Sequence, residues 1–221
     1  MKFKNREEAG KLLAGKLSGY KGRKDAIVLG IPRGGVPVAY ALARELKLPF
    51  NVLVSRKLPL PWDTEAGFGA VAENGVLVED ERFIKTVSRK ELSYIIRFVT
   101  TEVARRVALY RKGNPIDVKG KVAILVDDGL AGGWTIAAAV ASLKKLKAKK
   151  IIVAVPCASS AALKAIRDGF EVRVLKESDD PLFAVSLFYE AFQQLTDDQA
   201  LEYLKEPSAP MRAVKKLFGK S

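Results

Sequence analysis

The sequence predicts an α/β fold: a doubly wound parallel sheet of about five strands flanked by helices, with a flexible loop or β-hairpin and a small C-terminal helical hood. Three observations point there. Short apolar, β-branched runs recur along the chain, as in DAIVLGI (25–31) and KVAILV (121–126). Stretches with helical periodicity separate them. Glycine-bearing turns join strand to helix, which suits parallel pairing with right-handed crossovers.

The elements follow in order. NREEAGKLLAGKL opens as a helix, with Asn5 as N-cap and Glu8 at capping-box spacing. DAIVLGI is a buried strand ended by Pro32, VPVAYALARELKL (36–48) a helix and FNVLVS (50–55) a second strand, together one βαβ unit. Residues 57–80 hold prolines and glycines with two short alternating pieces around Asn74-Gly75, a strong hairpin turn. They read as a mobile loop, 58–67, leading into a β-hairpin. Residues 88–113 form a long helix that Ser88 and Glu91 open and Gly113 closes. KVAILV, the helix WTIAAAVASLKKLKA, the strand KIIVAVP (150–156), the helix 159–169 and the strand FEVRVLK (170–176) continue the alternation. PLFAVSLFYEAFQQL and TDDQALEYL read as C-terminal helical turns, the second capped at Thr196. The expected organisation is one domain over 1–205 and a basic tail over 206–221.

Composition removes several chemistries. The chain has no histidine, so Ser-His-Asp triads, Cys-His pairs and histidine metal sites are excluded together. A single cysteine, Cys157, allows neither an internal disulfide nor a cysteine zinc cluster and fits a reducing cytoplasm. No apolar run approaches the ~18 residues that cross a membrane, and the N-terminus lacks the apolar core of a signal peptide. The net charge of +13 suits a polyanionic partner. It suits a lysine-rich surface as well, and because the basic residues are spread along the chain a nucleic acid is not favoured.

In doubly wound sheets ligands bind beyond the carboxyl ends of the strands. Three unusual stretches fall there: GIPRGG (30–35), SRKLPLP (55–61) and VDDGLAGGWT (126–135). A glycine loop entering a helix presents backbone N–H groups and a positive helix end to a phosphate. Gly129, Gly132 and Gly133 permit close approach, and Thr135 adds a hydroxyl in the first turn. Asp127 and Asp128 would repel a bare anion. They fit a ligand that also offers hydroxyls or a metal, as a ribose 5-phosphate does, and they also fit an ordinary helix N-terminus.

Two acids, three spacers, a Thr or Ser, Gly, any residue and a Thr or Ser is the phosphoribosyl-diphosphate (PRPP) motif of the type I phosphoribosyltransferases. Asp127, Asp128, Gly133 and Thr135 match it, over the span Gly129, Leu130, Ala131, Gly132, Gly133, Trp134 and Thr135. Gly132 departs from it, since the motif has a hydroxyl residue there. IPRGGVPVA resembles the family's diphosphate loop, with Arg33, Gly34 and Gly35 at the binding positions. SRKLPLPWDTEAGFGAVAENG resembles its basic pair, Arg56-Lys57, followed by the catalytic loop. The C-terminal DPLFAVSLFYEAFQQLTDD is similar to a bacterial and archaeal branch of predicted phosphoribosyltransferases.

The resemblance implies transfer of a 5-phosphoribosyl group from PRPP to a nitrogenous acceptor, with release of diphosphate. Arg33, Gly34 and Gly35 would hold one end of the diphosphate and Arg56 with Lys57 the other. Mg²⁺ would be carried mainly by PRPP near Asp127 and Asp128, since oxygen ligation suits a hard cation. Glu65 is the candidate for acid–base help, with Asp63 as its rival and a solvated loop acid as the plain alternative. Ala131 occupies a spacer where some purine enzymes of the family carry an acid. Trp62, Phe68 and Trp134 suit stacking on a base but more simply packing, and Cys157 reads as a small buried hydrophobe. The resemblance implies a homodimer. The other functional expectations are a non-catalytic PRPP- or nucleotide-sensing regulator of the same fold, in contact with RNA through its basic surface, and an enzyme that transfers to water or a non-base acceptor.

Overall fold

A computed structural model of the protein describes residues 1–60, 62–166 and 170–205, with the side chains of Thr64 and Glu65 outside that description. The expected basic tail, 206–221, lies outside the described residues. Five parallel strands form the main sheet in the order β2-β1-β6-β7-β8: β1 Ala26–Gly30, β2 Phe50–Val52, β6 Val122–Val126, β7 Lys150–Ser159 and β8 Glu171–Ser178. A second, antiparallel sheet contains β3 Ser55–Leu60, β4 Asp63–Ala72 and β5 Val76–Glu79.

Side chains alternate between the faces of the main sheet. Val28, Ile124 and Ile152 join a core with α1 (Arg6–Gly15), α2 (Gly35–Leu46) and α4 (Arg89–Arg111), and Phe83 of the short α3 (Glu81–Ile84) packs against it. Ile27, Leu29, Leu125 and Val153 join another with α5 (Trp134–Lys145) and α6 (Ser160–Ile166). Helices therefore cover both faces, and the winding reverses between β1 and β6. That reversal opens a crevice at the carboxyl ends of these two neighbours.

The N-caps are the expected ones, although Glu8 closes on the Lys4 N–H and not on that of Asn5, so α1 lacks the reciprocal half of a capping box. Asn5 Oδ1 accepts the Glu8 N–H at 2.9 Å, and Ser88 and Glu91 form a complete capping box on α4. Thr196 Oγ1 accepts the Gln199 N–H at 3.2 Å, ahead of α7 (Asp197–Lys205). The Asn74-Gly75 turn has φ of 67° and 66°, both in the left-handed region that this dipeptide tolerates.

Two expectations are corrected. The segment read as a mobile loop, 58–67, lies almost wholly in the β3–β4 hairpin. Pro59 and Gly67 carry loop signals, yet both have a place in that pairing. Pro59 faces Gly67 at a register shift, where a missing N–H is tolerated. Farther along β4, the backbone of β5 presses on Gly69 so closely that a Cβ would meet the Val78 carbonyl. The second narrows an expectation: the helical turns read over 181–195 reduce to one 3₁₀ turn at Val185–Phe188. Backbone pairing with the N-terminus replaces a helix: the Phe3 N–H donates to Phe188 and the Glu190 N–H to Phe3, both at 2.8 Å. Phe3, Phe183, Phe188, Tyr189 and Phe192 gather there in one aromatic cluster.

Among the described residues no helix is long and apolar enough to cross a membrane.

Candidate active site

Gly30 and Val126 are register partners at the ends of β1 and β6, and the Ile31 N–H donates to the Val126 carbonyl at 2.9 Å. The two turns that leave these strands press together. A Cβ on Gly34 would collide with the Asp128 carboxylate, and one on Gly35 would lie 2.6 Å from the Val126 carbonyl oxygen. Both positions demand glycine for space. The Gly35 N–H donates to the Ile31 carbonyl at 3.0 Å, and the absence of a side chain at Gly35 is what lets the two turns meet.

The acid pair is anchored at the bottom of this junction. Asp127 Oδ1 accepts the Asp128 N–H at 2.9 Å. Asp128 Oδ2 accepts Arg6 Nε at 2.8 Å, and Arg6 Nη1 donates to the Gln193 carbonyl at 2.8 Å. The Arg6 guanidinium also lies 3.9 Å from the centre of the Phe192 ring. Tyr189 donates its hydroxyl to the Asp128 carbonyl at 2.6 Å. Burial pushes both carboxyls above their ordinary range, Asp127 the further because Asp128 adds a like charge, while Arg6 draws Asp128 back. Sequence reasoning missed Arg6 and Tyr189. Arg6 reads locally as a first-turn helix residue, and only the tertiary fold brings it to a carboxylate 122 positions away.

The glycine loop is fixed from one side. Leu130 is buried, with its N–H on the Cys157 carbonyl and its carbonyl on the Ser159 N–H, both at 2.9 Å. Ser159 Oγ donates to the Ala131 carbonyl at 3.0 Å. Gly129 is packed under Val185, which a Cβ would meet at 2.5 Å. Gly133, at φ 85°, is the N-cap of α5 and bears no capping side chain. The first-turn N–H groups of Trp134, Thr135 and Ile136 therefore have no intrahelical acceptor. Gly132 is different: its φ is not left-handed, and the nearest atom to an added Cβ would be Trp134 Cδ1 at 4.0 Å. Residues 129–135 line a cleft of about 440 Å³, closed on other sides by Lys57, Gly67 and Val185. A hollow of about 350 Å³ between the Glu73–Gly75 turn and α4 contains none of these residues.

The expected cations divide into two places. Lys57 faces the cleft. Arg33 Nη1 lies 3.9 Å from Asp197 and Arg56 Nη1 lies 3.9 Å from Glu102, on the side of α4 and α7. Glu65 belongs to β4, but its side chain lies outside the described residues, while Asp63 caps the Ala66 N–H at 3.2 Å. Phe68 is buried and stacked on Phe83 at 4.6 Å, Trp134 packs on Ala70, Ala72 and Ala138, and Trp62 is 71% exposed. Burial pushes the Cys157 thiol up to about 12, as befits an inert core residue. Among the described residues no three acids or cysteines converge to cage a metal. The carboxylates of Asp127 and Asp128 suit a hard cation that arrives on its ligand.

Comparison with known proteins places this arrangement. The phosphoribosyl transferase domain matches residues 2–190. A Mycobacterium tuberculosis protein with a provisional phosphoribosyl transferase name is 35% identical over 205 residues, covering 91% of this chain and 46% of the relative. The chain thus spans about half the length of that curated relative. The crystal structure of TT1426 from Thermus thermophilus aligns with a TM-score of 0.77 at 33% identity, over 95% of this chain and all of that one. A hypothetical protein from Neisseria gonorrhoeae, solved with bound ppGpp, shares the fold alone, at a TM-score of 0.50 and 18% identity over 93% of this chain and 97% of that one. The matched segment holds the sheet, both pressed turns, the acid pair and the glycine loop, and the chain belongs to the phosphoribosyl transferase domain family.

Proposed function

We propose that this protein transfers the 5-phosphoribosyl group of PRPP to a nitrogenous acceptor and releases diphosphate. The observation that carries the reading is the contact between Gly34 and the Asp128 carboxylate, which brings the two turns to one point. On this reading Asp127 and Asp128 accept the ribose 2- and 3-hydroxyls. The open N–H groups around Gly132, Gly133 and Thr135 hold the 5-phosphate. Arg33 and the backbone at Gly34 take the diphosphate, with Arg56 and Lys57 at the leaving oxygens and Glu65 as the acid–base group.

Displacement at C1 passes through an oxocarbenium-like state, so the protein acts by positioning and by stabilising the departing charge. Mg²⁺, held through PRPP beside Asp127 and Asp128, would neutralise diphosphate charge when bound. Arg6 draws Asp128 back toward its ordinary range, which leaves Asp127 the more readily protonated of the two acids that face the ribose. We infer a homodimer in the cytoplasm as the working form.

Thermal unfolding with PRPP and Mg²⁺ tests the binding step, since a ligand of the native state raises Tm by mass action. The expected result is a rise that disappears when Asp127 and Asp128 are both replaced by Asn. An unchanged rise in the double variant would remove their ribose role. Diphosphate release with a panel of nucleobases tests the chemistry. Acceptor-dependent release supports transfer, binding without release a sensing role, and release without any base hydrolysis or a non-base acceptor.

A further inference from the structure

Behind Arg33 and Arg56 stands a third guanidinium that no motif marks. Arg106, on α4, has a side chain only 9% exposed. Its Nε is buried and without a hydrogen-bond partner. The nearest carboxylate, Asp197 Oδ1, lies 4.0 Å from that Nε, beyond hydrogen-bonding range. Asp197 is engaged elsewhere, accepting the Tyr110 hydroxyl at 2.7 Å and Arg105 Nη2 at 2.8 Å. Glu102 likewise hydrogen-bonds Arg105, at 3.1 and 3.3 Å, and holds Arg56 only at 3.9 Å.

Arg33, Arg56, Arg105 and Arg106 thus share two carboxylates, Glu102 and Asp197, and those carboxylates hydrogen-bond Arg105 alone among the four. Burial, with the like charges of Arg56 and Arg33, draws Arg106 below its ordinary range. A buried cation among cations is costly unless an anion joins it. The cluster carries two more positive than negative groups, and two of its cations come from the stretches that resemble diphosphate-binding elements.

We propose that Arg106 is a third cation of the diphosphate site, completing Arg33 and Arg56, and that Asp197 of α7 is the resident counter-charge which the diphosphate displaces. This rests on the phosphoribosyl transfer reading above and adds to it a residue from α4 and a coupling to α7. Asp197 reaches toward Arg33 and Arg106 from the same side, at 3.9 and 4.0 Å, where an oxygen of the incoming group would bridge them. The ligand gains two guanidinium groups, Arg33 and Arg106, that neither Glu102 nor Asp197 hydrogen-bonds.

Calorimetric titration of the full chain with two probes, inorganic diphosphate with Mg²⁺ and ribose 5-phosphate, tests this. Arg106→Gln is expected to weaken diphosphate binding roughly ten- to hundredfold, the range for one hydrogen bond to a charged group. Ribose 5-phosphate affinity should stay unchanged, and Arg106→Lys should recover part of the loss. Asp197→Asn, which keeps an acceptor for Tyr110 but removes the charge, should tighten diphosphate binding several-fold. Equal diphosphate affinity in wild type and Arg106→Gln overturns the proposal. So does an equal loss for both probes, which marks Arg106 as structural. Should Arg106→Gln fail to fold, an Asp197→Asn variant with unchanged diphosphate affinity overturns it instead. A wild type that binds ribose 5-phosphate but not diphosphate refutes this inference and leaves the ribose site standing. One that binds neither refutes the phosphoribosyl reading itself.

Discussion

Arg6 Nε donates to Asp128 Oδ2 at 2.8 Å and so ties the first helix to the acid pair at the centre of the candidate site. The side chains are 10% and 15% exposed, so water screens this pair little. Removing one partner of a buried pair strands the other charge, at a cost of about 3–5 kcal/mol at full burial. Arg6→Gln is therefore expected to cost about 3 kcal/mol in urea unfolding. Asp128→Asn in the Arg6→Gln background should restore part of it, because no charge is then left unpaired. Additive losses in the double variant would show that Arg6 stabilises through Phe192 and Gln193 instead.

Asp127 gives a pH dependence of definite sign. Its carboxyl is held above the ordinary value of 3.8, chiefly by burial and next by the charge of Asp128. A group raised on folding contributes stability that is full below the unfolded value and lost as pH rises through the folded one. Asp127→Asn should then raise Tm at about pH 7, by roughly 2–4 °C for each kcal/mol relieved, and change it little at about pH 4. The same protonation should weaken ribose 5-phosphate binding in the wild type as pH falls, because a neutral carboxyl is a poorer hydroxyl acceptor. Calorimetric scans at the two pH values settle the sign, and a destabilised variant at neutral pH would contradict it.

A second buried pair secures the hairpin that carries Lys57. Glu73 Oε2 accepts the Val54 N–H at 3.0 Å and Arg111 Nη2 at 2.7 Å, joining the strand-two exit, the β4–β5 turn and the end of α4. Both side chains are 5% exposed. Burial raises Glu73, and Arg111 opposes the rise. Arg111→Met alone is expected to cost about 3–5 kcal/mol, and Glu73→Gln with Arg111→Met markedly less than the two single losses combined. A double-mutant cycle in denaturant measures the difference.

The sequence made the sheet and the acid pair legible because their signals are local. β-branched runs fix the strands, and the pattern from Asp127 to Thr135 occupies one turn. The hairpin at Ser55–Ala72 was obscured because Pro59, Gly67 and Gly69 carry loop signals that pairing overrides. Within the C-terminal hood, the stretch 181–195 is hard to read for a related reason. Its aromatic residues have helical spacing, yet Phe188 and Glu190 spend their backbone groups on Phe3. Arg6 and Arg106 leave no trace in the sequence as site residues, since each matters only through partners brought from distant segments.

Gly132 is where the sequence departs from the family motif, and its surroundings give the departure a direction. Next to it, Gly133 at φ 85° needs its glycine, and Gly34 has no room for a Cβ beside Asp128. Gly132 has neither constraint: its φ is not left-handed and an added Cβ meets only Trp134 Cδ1 at 4.0 Å. A threonine there should therefore fold without strain, although β-branching narrows its rotamers. Gly→Ala at the same place should be neutral or slightly stabilising, since it reduces the freedom of the unfolded chain. Thr would add the hydroxyl donor that the motif usually supplies to the 5-phosphate. A hydrogen bond to a charged group is worth roughly 1.5–3 kcal/mol, or about ten- to a hundredfold in affinity. Gly132→Thr is expected to tighten ribose 5-phosphate binding toward that range, Gly132→Ala to leave it unchanged, and Gly34→Ala to weaken both binding and folding. Titration calorimetry with thermal unfolding of the three variants separates hydroxyl from methyl and strain. Equal affinity in the Thr and Ala variants would mean that the 5-phosphate does not lie against Gly132.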